Sequence, residues 1–308
     1  MSFDDHRVIS FRVLLDEAFK VTRRHLGQLY LPFALPLALA AVSMVALQGW
    51  MMQGMTEDYE SFNLAFTCGV FGLIFVAALS TGVVYFAMSV AAYDAVAERP
   101  VGLWRSYLYL FKPRVFGTAL LLGLLLLLSY ICCILPLLYV APLLSFTFGA
   151  MIEEDRFGTA AIQRSAQLAG TNPLDNFPHN PLVRAFALLV VGMAISTGLS
   201  LLIQLPFEVL RQVLFLRDLD TFGDPMAAFS HPGAVALQLA GSLLGSLASS
   251  VLSLYLCFAG AMLFHDTRRR REGADLESAL DALEPLAEPP SPPAGPANPP
   301  PDRGGGSA

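Results

Sequence analysis

Polar and apolar positions in this chain are gathered into long blocks rather than alternated at short period. Stretches with no Asp, Glu, Lys, Arg or His run over 26 to 56, 61 to 93, 115 to 152, 185 to 207 and 232 to 264. About 20 apolar residues in a helix cross the hydrocarbon of a bilayer, and a charge at its centre is costly, so each block is long enough to be a transmembrane span. The third block, 38 residues long, would make a helix of roughly 57 Å, nearly twice the bilayer core. It contains SYICCILP, ending at Pro136. A proline there ends one helix and separates two short spans, because it has no N–H to donate and biases its predecessor away from helix. The pattern predicts an all-α fold, a polytopic membrane helix bundle with six transmembrane helices. The third and fourth are short enough that a re-entrant pair is the alternative.

The intervening segments carry a different period. Phe11, Leu14, Leu15, Ala18, Phe19, Thr22, Leu26 and Leu29 recur at helical spacing, with Arg12, Asp16, Lys20, Arg23 and Arg24 mostly elsewhere. That predicts an interfacial amphipathic helix within 1 to 28; a second is expected over 206 to 218. The loop after 152 places acids and Gly158 before a run of helix formers and Gly170 after it, which predicts a helix near 159 to 169. The chain therefore divides into an N-terminal interfacial helix over 1 to 28, a transmembrane domain over 29 to 266, and a basic junction with a Pro-rich tail over 267 to 308. PPSPPAGPANPPPDRGGGSA cannot bury a core and is expected to be disordered.

Composition agrees with this reading: 55% of residues are hydrophobic and only 14% charged. A net charge of −6 does not suit a nucleic-acid partner, which calls for a broad basic field. The distribution of charge says more than its sum. With the N-terminus inside, segments 1 to 28, 93 to 114, 153 to 184 and 265 to 308 hold 17 of the 19 Lys and Arg residues, and the outer side keeps only Arg211 and Arg217. Positive residues collect on the cytoplasmic side, so both termini are expected in the cytoplasm. Arg268, Arg269, Arg270 and Arg271 then form a positive-inside anchor at the end of the last span. Each is expected to attract anionic lipid by about 1 kcal/mol.

Within the blocks, Gly241, Gly245, Ser249 and Ser253 recur every four residues on the last span, and Gly192, Ser196, Ser200 and Gln204 do so on the one before. Small residues at this period let helix backbones approach closely, and the two helices are expected to pack together. The same faces also suit a homo-oligomer contact or the wall of a polar path.

Candidate chemistry is sparse. The apolar blocks hold no carboxylate, lysine, arginine or histidine. The histidines are scattered, and the chain has no HExxH, GxSxG or phosphate-binding glycine loop. Cys68, Cys132, Cys133 and Cys257 all lie in apolar blocks and read as buried hydrophobes. No enzyme activity, metal or cofactor is expected.

Three stretches, VLLDEAFKVTRRHLGQLYLP, IEEDRFGTAAIQRSAQLAGTN and LFHDTRRRREGADLE, resemble those of a family of bacterial integral membrane proteins, the glycerophosphoryl diester phosphodiesterase membrane-domain-like proteins. The most specific parts are Ala161, Arg164, Ser165, Leu168 and Gly170, then Asp266, Arg268, Arg270, Glu272, Gly273, Asp275 and Leu276. The resemblance implies a six-helix module of the bacterial inner membrane. It does not carry the phosphodiesterase activity over, since a catalytic barrel needs about 250 residues. The expected function is a non-catalytic scaffold or accessory subunit of an envelope process. Its expected partners are the lipid bilayer and a membrane or cytoplasmic protein docked through the loop 153 to 184 at Arg164, Ser165, Leu168 and Gly170. The alternative is a permease-like subunit driven by a separate ATPase.

Overall fold

A computed structural model describes residues 10–57, 64–132, 140–170, 180–222 and 232–287. Among these the regular structure is helical: α1 Phe11–Glu57, α2 Leu64–Val96, α3 Leu103–Leu110, α4 Pro113–Cys132, α5 Thr147–Glu153, α6 Thr159–Ala169, α7 Pro181–Phe222 and α8 Pro232–Ala287. Among the described residues four helices are long and apolar enough to cross a membrane, namely Phe11–Leu47, Phe75–Val96, Pro181–Arg217 and Pro232–Gly273. A fifth results if Leu103–Leu110 and Pro113–Leu125, bent by 68°, count as one span. These lengths and compositions suit a multi-pass membrane protein, in which a helix satisfies its own backbone polar groups without water. The expected break at Pro136 lies outside the described residues, as does the Pro-rich tail. Beyond them a short apolar stretch, Val140–Glu153, turns at Ser145 and Phe146 before α5.

Three helices run longer than the block pattern predicts, and one of them is α8, which continues past its block at 264 to Ala287. The expected interfacial segment and first span form one helix, α1, with no break at residue 28, and its Leu14, Ala18 and Leu29 are buried. Likewise α7 continues through Pro206, joining the expected outer helix to the span before it. A proline removes one hydrogen bond, a loss that a membrane helix tolerates where its surroundings compensate.

Pro36 of α1 shows such compensation directly. It has no N–H to offer the carbonyl of Pro32, four residues earlier, and the Tyr107 hydroxyl of α3 donates to that carbonyl at 2.9 Å. Tyr107→Phe is therefore expected to lower stability by about 1–3 kcal/mol, the cost of an unsatisfied buried acceptor. In a Pro36→Ala background the same change should cost much less. Thermal unfolding of the four proteins in detergent measures the coupling, and equal losses in both backgrounds would refute the assignment.

Inter-helix contacts fix the directions. Tyr85 and Ser89 of α2 meet Ser253 and Cys257 of α8 at 3.2 and 3.7 Å, so these helices run parallel. The α1 contacts descend along α8, with Tyr255 bonding to the Leu15 carbonyl and Tyr30 to that of Leu247, so α1 is antiparallel to it. A side-chain carbon at Gly192, Gly241 or Gly245 would meet Leu256, Phe207 or Gln204, and Arg211 bonds Gln238. Residue numbers fall on α8 as they rise on α7, which makes this pair antiparallel too.

The chain forms two compact units, Met1–Thr267 and Arg268–Ala308. In the second, Arg268 pairs with Glu272 one turn on, at 2.8 Å.

Candidate functional site

The directions above bring the start of α1, the end of α2, the start of α7 and the last turns of α8 before Arg268 to one end of the first unit. The segment from α4 to α6 joins them by bonds that cross the chain. Gly158 donates its N–H to the Thr118 hydroxyl at 2.6 Å, and the Tyr109 hydroxyl donates to the Met151 carbonyl at 2.9 Å. The chain thus leaves this end along α4 and returns to it through α5. Both bonds serve a backbone group at a helix end, where intrahelical partners run out.

Ion pairs hold the same end. Arg99 reaches Glu153 at 2.7 Å, and Arg184 meets Asp266 at 3.1 Å with side chains only 4% and 10% exposed. Asp94, fully buried, lies 3.5 Å from Arg105 and 3.9 Å from Arg99, and among the described residues neither carboxylate oxygen has a hydrogen-bond partner. Charge attraction rather than directed bonding holds it. Asp94, Glu153, Arg184 and Asp266 flank the apolar blocks by one or two residues, and treating block edges as water contacts places them in solvent. The signal is the matching of signs, within one loop for Asp94 against Arg99 and Arg105, and across two block edges for Arg184 against Asp266.

Helix α6 occupies Thr159–Ala169, begun after Gly158 at a φ of +64° and ended at Gly170. The positive φ favours glycine because it has no side chain to clash. Of the expected docking residues, Arg164 is held by both oxygens of Glu154 at 2.8–3.0 Å. Ser165 is buried and donates to the Leu143 carbonyl at 2.6 Å, and Leu168 is fully buried. These side chains attach the helix to the protein; Thr159, Ala160, Gln163 and Gln167 form its exposed side.

Of the expected packing residues, Gly192, Gly241, Gly245 and Ser253 are buried, and Ser196, Ser200 and Ser249 are half-buried. Gly192, Ser196 and Ser253 also line a cleft of about 490 Å³ between α2, α7, α8 and the residues around Phe146. Its walls are mainly apolar, with hydroxyls from Tyr85, Ser89, Ser196 and Ser253. Tyr85 and Ser253 bond to each other across it at 3.2 Å. Arg268, Arg269, Arg270 and Arg271 lie in the second unit, on the helical continuation of α8. Among the described residues no group of three His, Cys, Asp or Glu side chains is placed to hold a metal ion.

Compared with protein-family models, curated proteins and solved structures, the chain matches none. The structure is that of a helical protein with several long apolar helices.

Proposed function

We propose that this protein is a non-catalytic module of the bacterial inner membrane, a scaffold or accessory subunit that docks a protein partner at its cytoplasmic end. The observation that carries the proposal is the convergence of separate charged segments at one end of the first unit, where α6 is held by Arg164, Ser165 and Leu168 with its opposite side exposed. A helix fixed in this way presents a surface without an ordering cost at the moment of binding. The segments that meet there are those richest in Lys and Arg, which supports a cytoplasmic orientation. The docking surface is then the side bearing Ala160 and Gln163, with the expected residues Arg164, Ser165, Leu168 and Gly170 supporting it.

The six-span topology belongs to the same proposal. Return of the chain to its starting end between Thr118 and Gly158 supports an even number of crossings there, two if α4 and Val140–Glu153 both cross and none if they are re-entrant. Likeness to the phosphodiesterase membrane-domain family rests on its two motifs. Here they supply Arg164, Ser165 and Leu168 beneath α6, Asp266 against Arg184, and Arg268 against Glu272. A permease-like subunit is the second reading, favoured by the cleft and its hydroxyls.

The test is purification of the tagged protein from its native membrane in mild detergent, beside an Ala160→Glu/Gln163→Glu variant, with mass spectrometry of retained proteins. A stoichiometric non-ATPase partner lost from the variant is expected. A retained ATPase would favour the permease reading, and no partner in either sample would refute docking.

A further inference from the structure

Helix α3 turns an unusual face outward. Trp104, 81% exposed, Leu108, and Phe111 just past the helix end, 69% exposed, stand at spacings of four and three residues on one side, while Ser106, Tyr109 and Leu110 are buried on the other. The helix is not free to roll this face inward. The Tyr107 hydroxyl is bonded to the Pro32 carbonyl and the Tyr109 hydroxyl to that of Met151, which fixes its rotation.

Three further facts limit what can cover the face. The apolar surface continues onto α4, where Phe116, Leu120 and Leu124 within the candidate span, and Leu128 just past it, are exposed one turn apart. The 68° bend between the two helices lays α3 nearly flat if α4 stands along the membrane normal. Finally, Arg105, Lys112 and Arg114 lie beside the apolar stripe and are exposed. An aromatic stripe flanked by cations on a helix lying in the membrane plane is the composition of a surface-seated anchor.

We infer that α3 is an in-plane anchor whose Trp104, Leu108 and Phe111 insert among the acyl chains of the leaflet at the charged end of the bundle, with Lys112 and Arg114 at the level of anionic headgroups. The inference rests on the membrane reading and adds a lipid site to it. Positive residues at that depth favour anionic over zwitterionic lipid.

Tryptophan quenching in reconstituted vesicles tests it, because the chain has two tryptophans, Trp50 and Trp104. In a Trp50→Phe variant, Trp104 emission is expected to be quenched more by lipids brominated near the glycerol end of their chains than by lipids brominated near the chain termini. Quenching should be stronger from brominated phosphatidylglycerol than from brominated phosphatidylcholine, and Lys112→Gln/Arg114→Gln should abolish that preference. A Trp50→Phe/Trp104→Phe/Leu124→Trp variant reports on the span itself. Quenching at Leu124→Trp with none at Trp104 would overturn the anchor and mean that a protein surface, including a second copy, covers α3. Equal quenching of Trp104 by the two lipids would overturn the headgroup assignment. Loss of quenching at both positions would overturn the membrane reading beneath it.

Discussion

Gly149→Ala is expected to lower the stability of the bundle by about 3 kcal/mol, the upper range for overfilling a packed core. A side-chain carbon at this position would collide with three ring atoms of Phe264, Cγ, Cδ2 and Cε2. Real contacts are not this close, and the ring has nowhere to move: it is fully buried, with Tyr93 at 5.7 Å and Phe146 at 6.3 Å between centroids. This differs from Gly192, where the added carbon would meet the terminal methyls of Leu256, which rotate at small cost. Shrinking the obstacle should rescue the variant, so Gly149→Ala/Phe264→Leu is expected to be more stable than Gly149→Ala. Midpoints of thermal unfolding in detergent decide the matter. An unchanged midpoint in Gly149→Ala would show that α5 does not pack on α8 at this closeness.

Arg184→Met is expected to cost a comparable 3–5 kcal/mol, because it leaves the Asp266 carboxylate nearly buried without the guanidinium at 3.1 Å. Most of such a loss is the penalty of keeping a nearly buried carboxylate after its guanidinium is removed, not the strength of the pair. It follows that Arg184→Met/Asp266→Leu should recover most of the stability, since neither charge then has to be taken out of water. Unfolding of both single variants and the double variant measures the coupling. Additive losses would mean that the two side chains act independently.

The sequence-level reading succeeds where one physical term dominates locally. The apolar blocks predict the long helices because hydrocarbon excludes both charges and unsatisfied backbone. Helix α6 matches its expected limits because Gly158 and Gly170 mark both ends of a short run. What was not legible depends on contacts between distant segments. Block edges set at the first charged residue put Arg184 and Asp266 in water, whereas each is held nearly buried by the opposite charge of the other, 82 residues away in the chain. At Pro36 the carbonyl that α1 leaves without a donor is served by Tyr107, which lies 75 residues from Pro32. Helix α3 has no clear sequence signal, because LWRSYLYL is only eight residues long, with apolar side chains on its exposed face as well as its buried one.

The central claim is that the charged segments lie together at one end of a membrane bundle and face the cytoplasm. Cysteine labelling with a membrane-impermeant maleimide tests it most directly, using Glu98→Cys, Asp155→Cys and Leu135→Cys one at a time after Cys68, Cys132, Cys133 and Cys257 are replaced by alanine. Labelling at positions 98 and 155 only after the inner membrane is opened, with position 135 labelled in intact spheroplasts, is the predicted result and gives six spans. Labelling at 155 from outside while 98 stays protected would contradict it, because residues joined through Arg99 and Glu153 cannot face opposite sides of a membrane.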